Sequence, residues 1–288
     1  MTDISLIGAG NLGTSLGYAL SRKGYTIKTL SCRSISSAGE SQRIIGEGNA
    51  LTDNIQVAKE GEVVFICVPD EEISRVVEEL ASSNLSWSKK TIFHSSGLLS
   101  SELLSPLKAK GAAVGSFHPV QSFSRKKGDL RQFEGVYFGL EGDEEALKIG
   151  GKIVRHLGGH SLLIRREEKP LYHAACSFAS NFFIVLLDIA ISILTSTGLR
   201  EEMAFETIMP LVQGTLQNVK EFNIPTSLTG PIPRGDAQSV QKHLEALRKF
   251  PDMYDLYVRL ARRALTIAEK KNLREEKVRA LKKLLEEK

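Results

Sequence analysis

The sequence predicts an α/β protein: a doubly wound domain over 1–165 followed by an all-helical domain over 166–288. Three observations carry this. Up to about Arg166 short apolar runs alternate with helical segments, the rhythm of a parallel sheet with crossover helices. Two of those runs, ISLIGAG and VVFICV, are too continuously apolar to have one wet face, so they belong at the centre of the sheet. Beyond Arg166 strand signals stop and only helical periodicity remains.

In chain order the predicted strands are ISLIGAG, TIKTLSC, EVVFICV, TIFHSS, AAVGSFHPV, GVYFGLEG and HSLLIRR, with the first helix over 12–23. The helical part comprises a long run over 169–197, a second over 201–221, and helices opening at Asp236 and Pro251. A helix approaching thirty residues suggests a spine shared with a second subunit. The tail NLREEKVRALKKLLEEK reads as an amphipathic, charge-paired helix whose basic residues form a solvated face.

With 288 residues, 42% hydrophobic and 25% charged, the chain has the composition of a soluble globular protein. Its net charge is only +4, without one interleaved basic and aromatic stripe, so nucleic acid is not the expected partner. Cys32, Cys67 and Cys176 are odd in number and form no CxxC, which suggests neither disulfides nor zinc and fits a reducing cytoplasm. The N-terminus opens on a strand without a secretory pattern, so export is not expected. The most apolar stretch, 174–194, carries Ser177, Ser180, Asn181, Asp188 and Ser192. It is expected to be a buried core or dimer-interface helix rather than a membrane span.

IGAGNLG supplies the first chemical signature. Gly8, Gly10 and Gly13, with Ala9, Asn11 and Leu12 between them, form GxGxxG between an apolar strand and a helix. The first glycine makes a tight turn, the second admits a pyrophosphate, the third lets helix pack on strand, and the helix N-terminus offers N–H donors. This is a Rossmann-type dinucleotide site. Gly13 is followed by Thr14 and Ser15 rather than by GK[ST], so it is not an ATP or GTP phosphate loop. The second strand ends in Ser31, Cys32, Arg33 and Ser34, without the acid that would bond a ribose hydroxyl. A guanidinium flanked by hydroxyls suits a 2′-phosphate, so NADP(H) is expected; the alternative is that Arg33 is only a surface residue.

Cys67, Val68, Pro69 and Asp70 end the strand EVVFICV, where Val68 and Pro69 are expected to line the nicotinamide ribose, or else simply to stop the strand and start a helix. His94 and Ser95 follow TIF and are expected beside the cofactor; His118 follows AAVGSF. Both histidines leave the carboxyl edge, and imidazole is suited to proton donation, although each also reads as a hydrogen-bonded structural residue. His156 and His160 are expected at the opposite edge. Lys169 precedes Pro170 in the first turn of a helix on which His173, Cys176, Ser177 and Ser180 share one side, with Asn181 at its margin. Such a stripe faces either substrate or neighbouring helices. Arg234, in LTGPIPRGD ahead of the N-cap candidate Asp236, would hold a substrate carboxylate or stand in a rigid connector. Neither HExxH nor CxxC occurs, so a metal is not expected.

GAGNLG, CVPD, FHSSGLLSS, GSFHPVQSF, KPLYHAACSFASN and LTGPIPRGD, in this order, resemble Rossmann-like proteins with a C-terminal domain of unknown function. That family resembles a branch of the 6-phosphogluconate dehydrogenase C-terminal-like superfamily, beside pyrroline-5-carboxylate reductases, ketopantoate reductases and deazaflavin-dependent NADP oxidoreductases. The resemblance implies a helical dimerisation domain and a site between the domains. Hydroxyacid dehydrogenases of the superfamily use a lysine and, one turn later, an asparagine; here these positions are Lys169 and His173. The expected activity is NADPH-dependent reduction of a small carboxylate-bearing ketone, 2-oxo acid or imine. His118 or His173 would donate the proton, Lys169 would polarise the substrate and Arg234 would hold the carboxylate. A non-catalytic NADP(H) redox sensor is the alternative, and a homodimer formed through the helical domain is the expected assembly.

Overall fold

The computed structural model describes residues 2–126 and 128–286. Two compact units divide after Phe182.

The first unit is built on eight strands: β1 (Asp3–Ile7), β2 (Thr26–Ser31), β3 (Asn49–Leu51), β4 (Val63–Ile66), β5 (Thr91–His94), β6 (Ala113–Pro119), β7 (Tyr137–Gly142) and β8 (His160–Leu163). Their order is β3-β2-β1-β4-β5-β6-β7-β8. The first six are parallel and reverse direction of growth between β1 and β4, which places the carboxyl ends of those two strands at the switch point where doubly wound sheets bind ligands.

The continuous apolar runs have the expected cause. Successive residues of β4 alternate between two cores: Val63 and Phe65 face one, Val64 and Ile66 the other. On the first face Phe65, Phe93, Phe117 and Phe138 form a row across β4 to β7, with successive ring centroids 5.3, 5.6 and 5.0 Å apart. On the second, Ile73, Val76, Val77 and Leu80 line one side of helix Asp70–Ser82, the spacing of an amphipathic helix.

Three features differ from the sequence reading. The short edge strand β3 is additional, and β7 runs antiparallel to β6. Because β8 follows β7, His160 pairs with Tyr137, beside the register pair Phe138 and Pro119; it therefore stands at the carboxyl end of β6, not at the opposite edge. His156 is held by the Tyr25 hydroxyl, 2.8 Å from its Nδ1. Strand signals do end at Leu163, yet the first unit continues to Phe182, since Lys169 and its helix (Lys169–Ala179) belong to the sheet unit.

The second unit contains helices Glu201–Glu221, Ala237–Leu247, Pro251–Glu269 and Glu275–Glu286. Its core gathers Ile232, Val240, Leu244, Ala261, Leu265, Val278, Leu281 and Leu285. Asp236 is the N-cap expected, accepting from Ser239 N at 3.0 Å. Arg234 closes the turn Pro231–Arg234; its side chain is exposed and its carbonyl accepts from Lys277 Nζ at 2.6 Å. The expected long helical run breaks at Ser180 into Lys169–Ala179 and Asn181–Thr195. The segment is long and apolar enough to cross a membrane by length and composition, but none of its most apolar window is buried within the chain. Burial in the chain's own core is therefore not its role.

Candidate active site at the carboxyl edge of the sheet

The glycine turn has the geometry that its spacing predicts. Gly8 adopts φ +85°, and a Cβ there would stand 2.6 Å from the Val68 side chain. A Cβ on Gly13 would stand 2.6 Å from Gly8 O, so this glycine is what allows helix Asn11–Arg22 to meet β1. At Gly10 no atom lies within 4 Å of the position a Cβ would take. The backbone there faces open space, as a turn approached by pyrophosphate requires. No side chain caps the helix that begins at Asn11, which leaves its first N–H groups for an anion. Thr14 Oγ1, Ser41 Oγ and Cys32 Sγ all donate to the Ala9 carbonyl, at 2.9, 2.7 and 3.2 Å, and hold the turn rigid. Leu12 is half-buried, and the Asn11 amide ties the turn to Phe123 O at 3.0 Å. Arg33 and Ser34 are exposed just beyond β2, where Ser34 N-caps helix Ile35–Ile45.

From this turn a chain of contacts runs along the carboxyl edge. Val68 packs at Gly8; Pro69, exposed, precedes helix Asp70–Ser82; and Asp70 accepts from Ser96 Oγ at 2.7 Å instead of capping its own helix. Ser95 N donates to Ile66 O at 3.1 Å. Burial pushes the Cys67 thiol up to about 12, which removes it as a nucleophile. Gly97 then stands under both remaining histidines: a Cβ on it would lie 2.8 Å from His118 Nε2 and from His173 Cδ2. Their rings lie edge to face with centroids 6.1 Å apart. His118 and His173, taken from β6 and from helix Lys169–Ala179, thus meet.

Two expected roles change. His94 is fully buried, and its Nδ1 accepts from Ser96 N at 3.2 Å, so it supports residue 96 from within and does not line the cofactor. Lys169 joins the cluster, yet only 1% of it is exposed. Its Nζ donates to Ser96 O at 3.1 Å and Ser116 Oγ at 2.6 Å, so the ammonium sits behind the histidines rather than against a substrate. Burial lowers Lys169 to about 8 and is opposed by the charges of Glu141 and Asp70. Burial, then the Lys169 charge, lowers His118 to about 4, and the same two causes bring His94 to about 4. Both imidazoles are neutral at physiological pH.

Sequence reasoning missed four members of this arrangement. Ser116 and Glu141 are polar residues inside otherwise apolar strands, which was the available signal. Glu141 is buried and accepts from Ser101 N and Ser101 Oγ, each at 2.7 Å. Gly97 and Tyr172 stood inside quoted motifs without a role. Among the described residues no cluster of His, Cys, Asp and Glu is arranged to hold a metal ion.

Residues 2–119 match the Rossmann-like domain, and residues 136–264 match a domain of unknown function, DUF2520. A protein from Thermotoga maritima shares 32% identity at TM-score 0.73, over 94% of this chain and 100% of that one. The chain belongs to the Rossmann-like, DUF2520-containing family. A candidate NADP oxidoreductase from Bacteroides fragilis is similar at 26% identity and TM-score 0.76, covering 92% of this chain and 98% of that one. The fold extends to a pyrroline-5-carboxylate reductase of Coxiella burnetii, at 20% identity and TM-score 0.59 over 93% and 98% of the two chains. No curated protein matches the chain.

Proposed function

We propose that this family member is an NADP(H)-dependent oxidoreductase that reduces a small carboxylate-bearing ketone, such as a 2-oxo acid, or an imine. The observation that carries the reading is the meeting of His118 and His173 over Gly97, linked through Ser96, Asp70 and Val68 to the open glycine turn. The residues of that turn would hold the pyrophosphate, and Arg33 with Ser34 the 2′-phosphate. Bound there, the reduced nicotinamide supplies a hydride to the substrate carbon. Neutral His118 would donate its Nε2–H as a hydrogen bond to the ketone oxygen or imine nitrogen as negative charge develops there, with the proton that completes the product drawn from solvent. His173 bounds the same space, Lys169 acts from behind through its charge, and Arg234 remains the candidate carboxylate partner. The similarity to a candidate NADP oxidoreductase supports the cofactor.

Fluorescence titration with NADPH and NADH, followed by NADPH oxidation against 2-oxo acids and cyclic imines, tests the reading. Tighter binding of NADPH with turnover of one compound is expected. A preference for NADH removes the role given to Arg33, and NADPH binding without turnover of any compound favours the redox sensor.

The reading includes a homodimer. Phe178, Phe182, Ile184, Val185, Phe205 and Leu211 are exposed large apolar residues on successive helices, a density unusual on a monomer surface. Light scattering is expected to give about twice the 31.7 kDa chain mass; a monomer at micromolar concentration overturns this. The three cysteines stand unpaired, which supports a cytoplasmic location.

A further inference from the structure

We propose that Tyr172 positions His118 by donating its phenolic proton to Nδ1, so that the imidazole carries its own proton on Nε2, the nitrogen facing Gly97 and His173. The inference rests on the reading of His118 as proton donor and assigns a second residue to it.

The Tyr172 hydroxyl also meets the Cys176 thiol and the Gly139 backbone N–H, and its contact with His118 is the one that reaches the cluster. Tyr172 Oη and His118 Nδ1 are 2.7 Å apart, and the rings meet at 89° with centroids 5.6 Å apart. The sheet makes room for the hydroxyl. In the antiparallel register of β6 and β7 the residue opposite His118 is Gly139, and a Cβ there would stand 2.6 Å from Tyr172 Oη. Any other residue at 139 would expel the phenol from its place beside Nδ1. On the far side of the ring, Gly97 allows Nε2 to approach the loop after β5. Two glycines, one at each nitrogen, thus fix where the imidazole stands.

Which atom holds the proton follows from charge. Burial raises the Tyr172 hydroxyl above its ordinary value, so the phenol stays protonated and available as a donor. A neutral imidazole has one N–H and one lone pair. If Nδ1 receives the tyrosine proton, the N–H is on Nε2, where a substrate oxygen or nitrogen needs it. The opposite tautomer would present a lone pair to the developing negative charge and repel it. Tyr172 sets the tautomer and does not itself touch the reacting atoms.

Tyr172→Phe keeps the ring and removes only the hydroxyl, which makes it the informative variant. Nitrogen-15 NMR of the imidazoles, assigned through His118→Ala, reads the tautomer directly in the protein alone. In the parent His118 is expected to show a pyridine-like Nδ1 and a pyrrole-like Nε2, and in Tyr172→Phe a mixture of both tautomers. If a turnover substrate is in hand, kcat should fall about tenfold with KM little changed, and Tyr172→Phe should add nothing in a His118→Ala background. A protonated Nδ1 in the parent, or a tautomer unmoved by Tyr172→Phe, overturns the proposal. Because the NMR signal requires neither cofactor nor turnover, that result is separate from failure of the reductase reading.

Discussion

Gly10→Ala is expected to melt at the temperature of the parent and to bind NADPH ~10–100-fold more weakly, the equivalent of about 1–3 kcal/mol of steric conflict. The fold should tolerate the methyl group, since nothing lies within 4 Å of its position and φ at residue 10 is not in the left-handed region. The conflict arises only with a bound pyrophosphate. Gly13→Ala is the control with the opposite pattern: its Cβ would stand 2.6 Å from Gly8 O and 3.3 Å from Cys67 Cβ, so the turn itself must deform. It should lose about 1–3 kcal/mol of stability as well as affinity. Thermal melts and fluorescence titrations of both variants distinguish the two glycines. Unchanged NADPH affinity in Gly10→Ala would mean that the pyrophosphate does not bind at this turn.

Local rules made the sheet and the turn legible. The continuous runs of β1 and β4 can only be central strands, and each glycine of GxGxxG has a separate steric reason that a single residue satisfies. The direction of β7 was not legible, because GVYFGLEG has the same composition whichever way it runs, and the placement of His160 depended on it. Short β3 offers only three residues, too few for periodicity to register. In the site, strand ends pointed equally to His118 and to His94, and only packing separates the two. His94 is the last residue inside β5 and fully buried, while His118 precedes Pro119 at the end of the longer β6 and is only half-buried. The burial of Lys169 was hidden for a related reason. Its partners, Ser96 and Ser116, are 73 and 53 residues away in sequence, and a lysine in the first turn of a helix ordinarily reads as solvated.

Lys169→Met is expected to change the pH dependence of both stability and turnover. The folded pKa of Lys169 is depressed from the ordinary 10.5 to about 8, chiefly by burial. Between those values the unfolded chain holds the proton more readily than the folded one. The contribution of Lys169 is therefore fully present above about pH 10.5 and is lost as pH falls through about 8. A shift of this size corresponds to about 3 kcal/mol, to order of magnitude. Denaturant melts should show the stability of the parent, minus that of Lys169→Met, climbing by about that amount across the window. A flat difference would mean that the ammonium is solvated. At neutral pH the charge is thus a cost that an apolar side chain of similar length avoids. The fold should survive the change, since Ser116 Oγ also donates to Ser96 O, at 3.2 Å, and keeps that carbonyl partnered. The reason for retaining the lysine then lies in the site. After burial, its charge is the next cause holding His118 down at about 4. Removing the cation makes the imidazolium less unfavourable, so the His118 pKa rises, in part only because burial remains. The acid limb of kcat/KM should move upward in pH with it, as neutral His118 is depleted at a higher pH than in the parent. An acid limb that stays in place would separate Lys169 from His118 and leave the buried ammonium with a structural role alone.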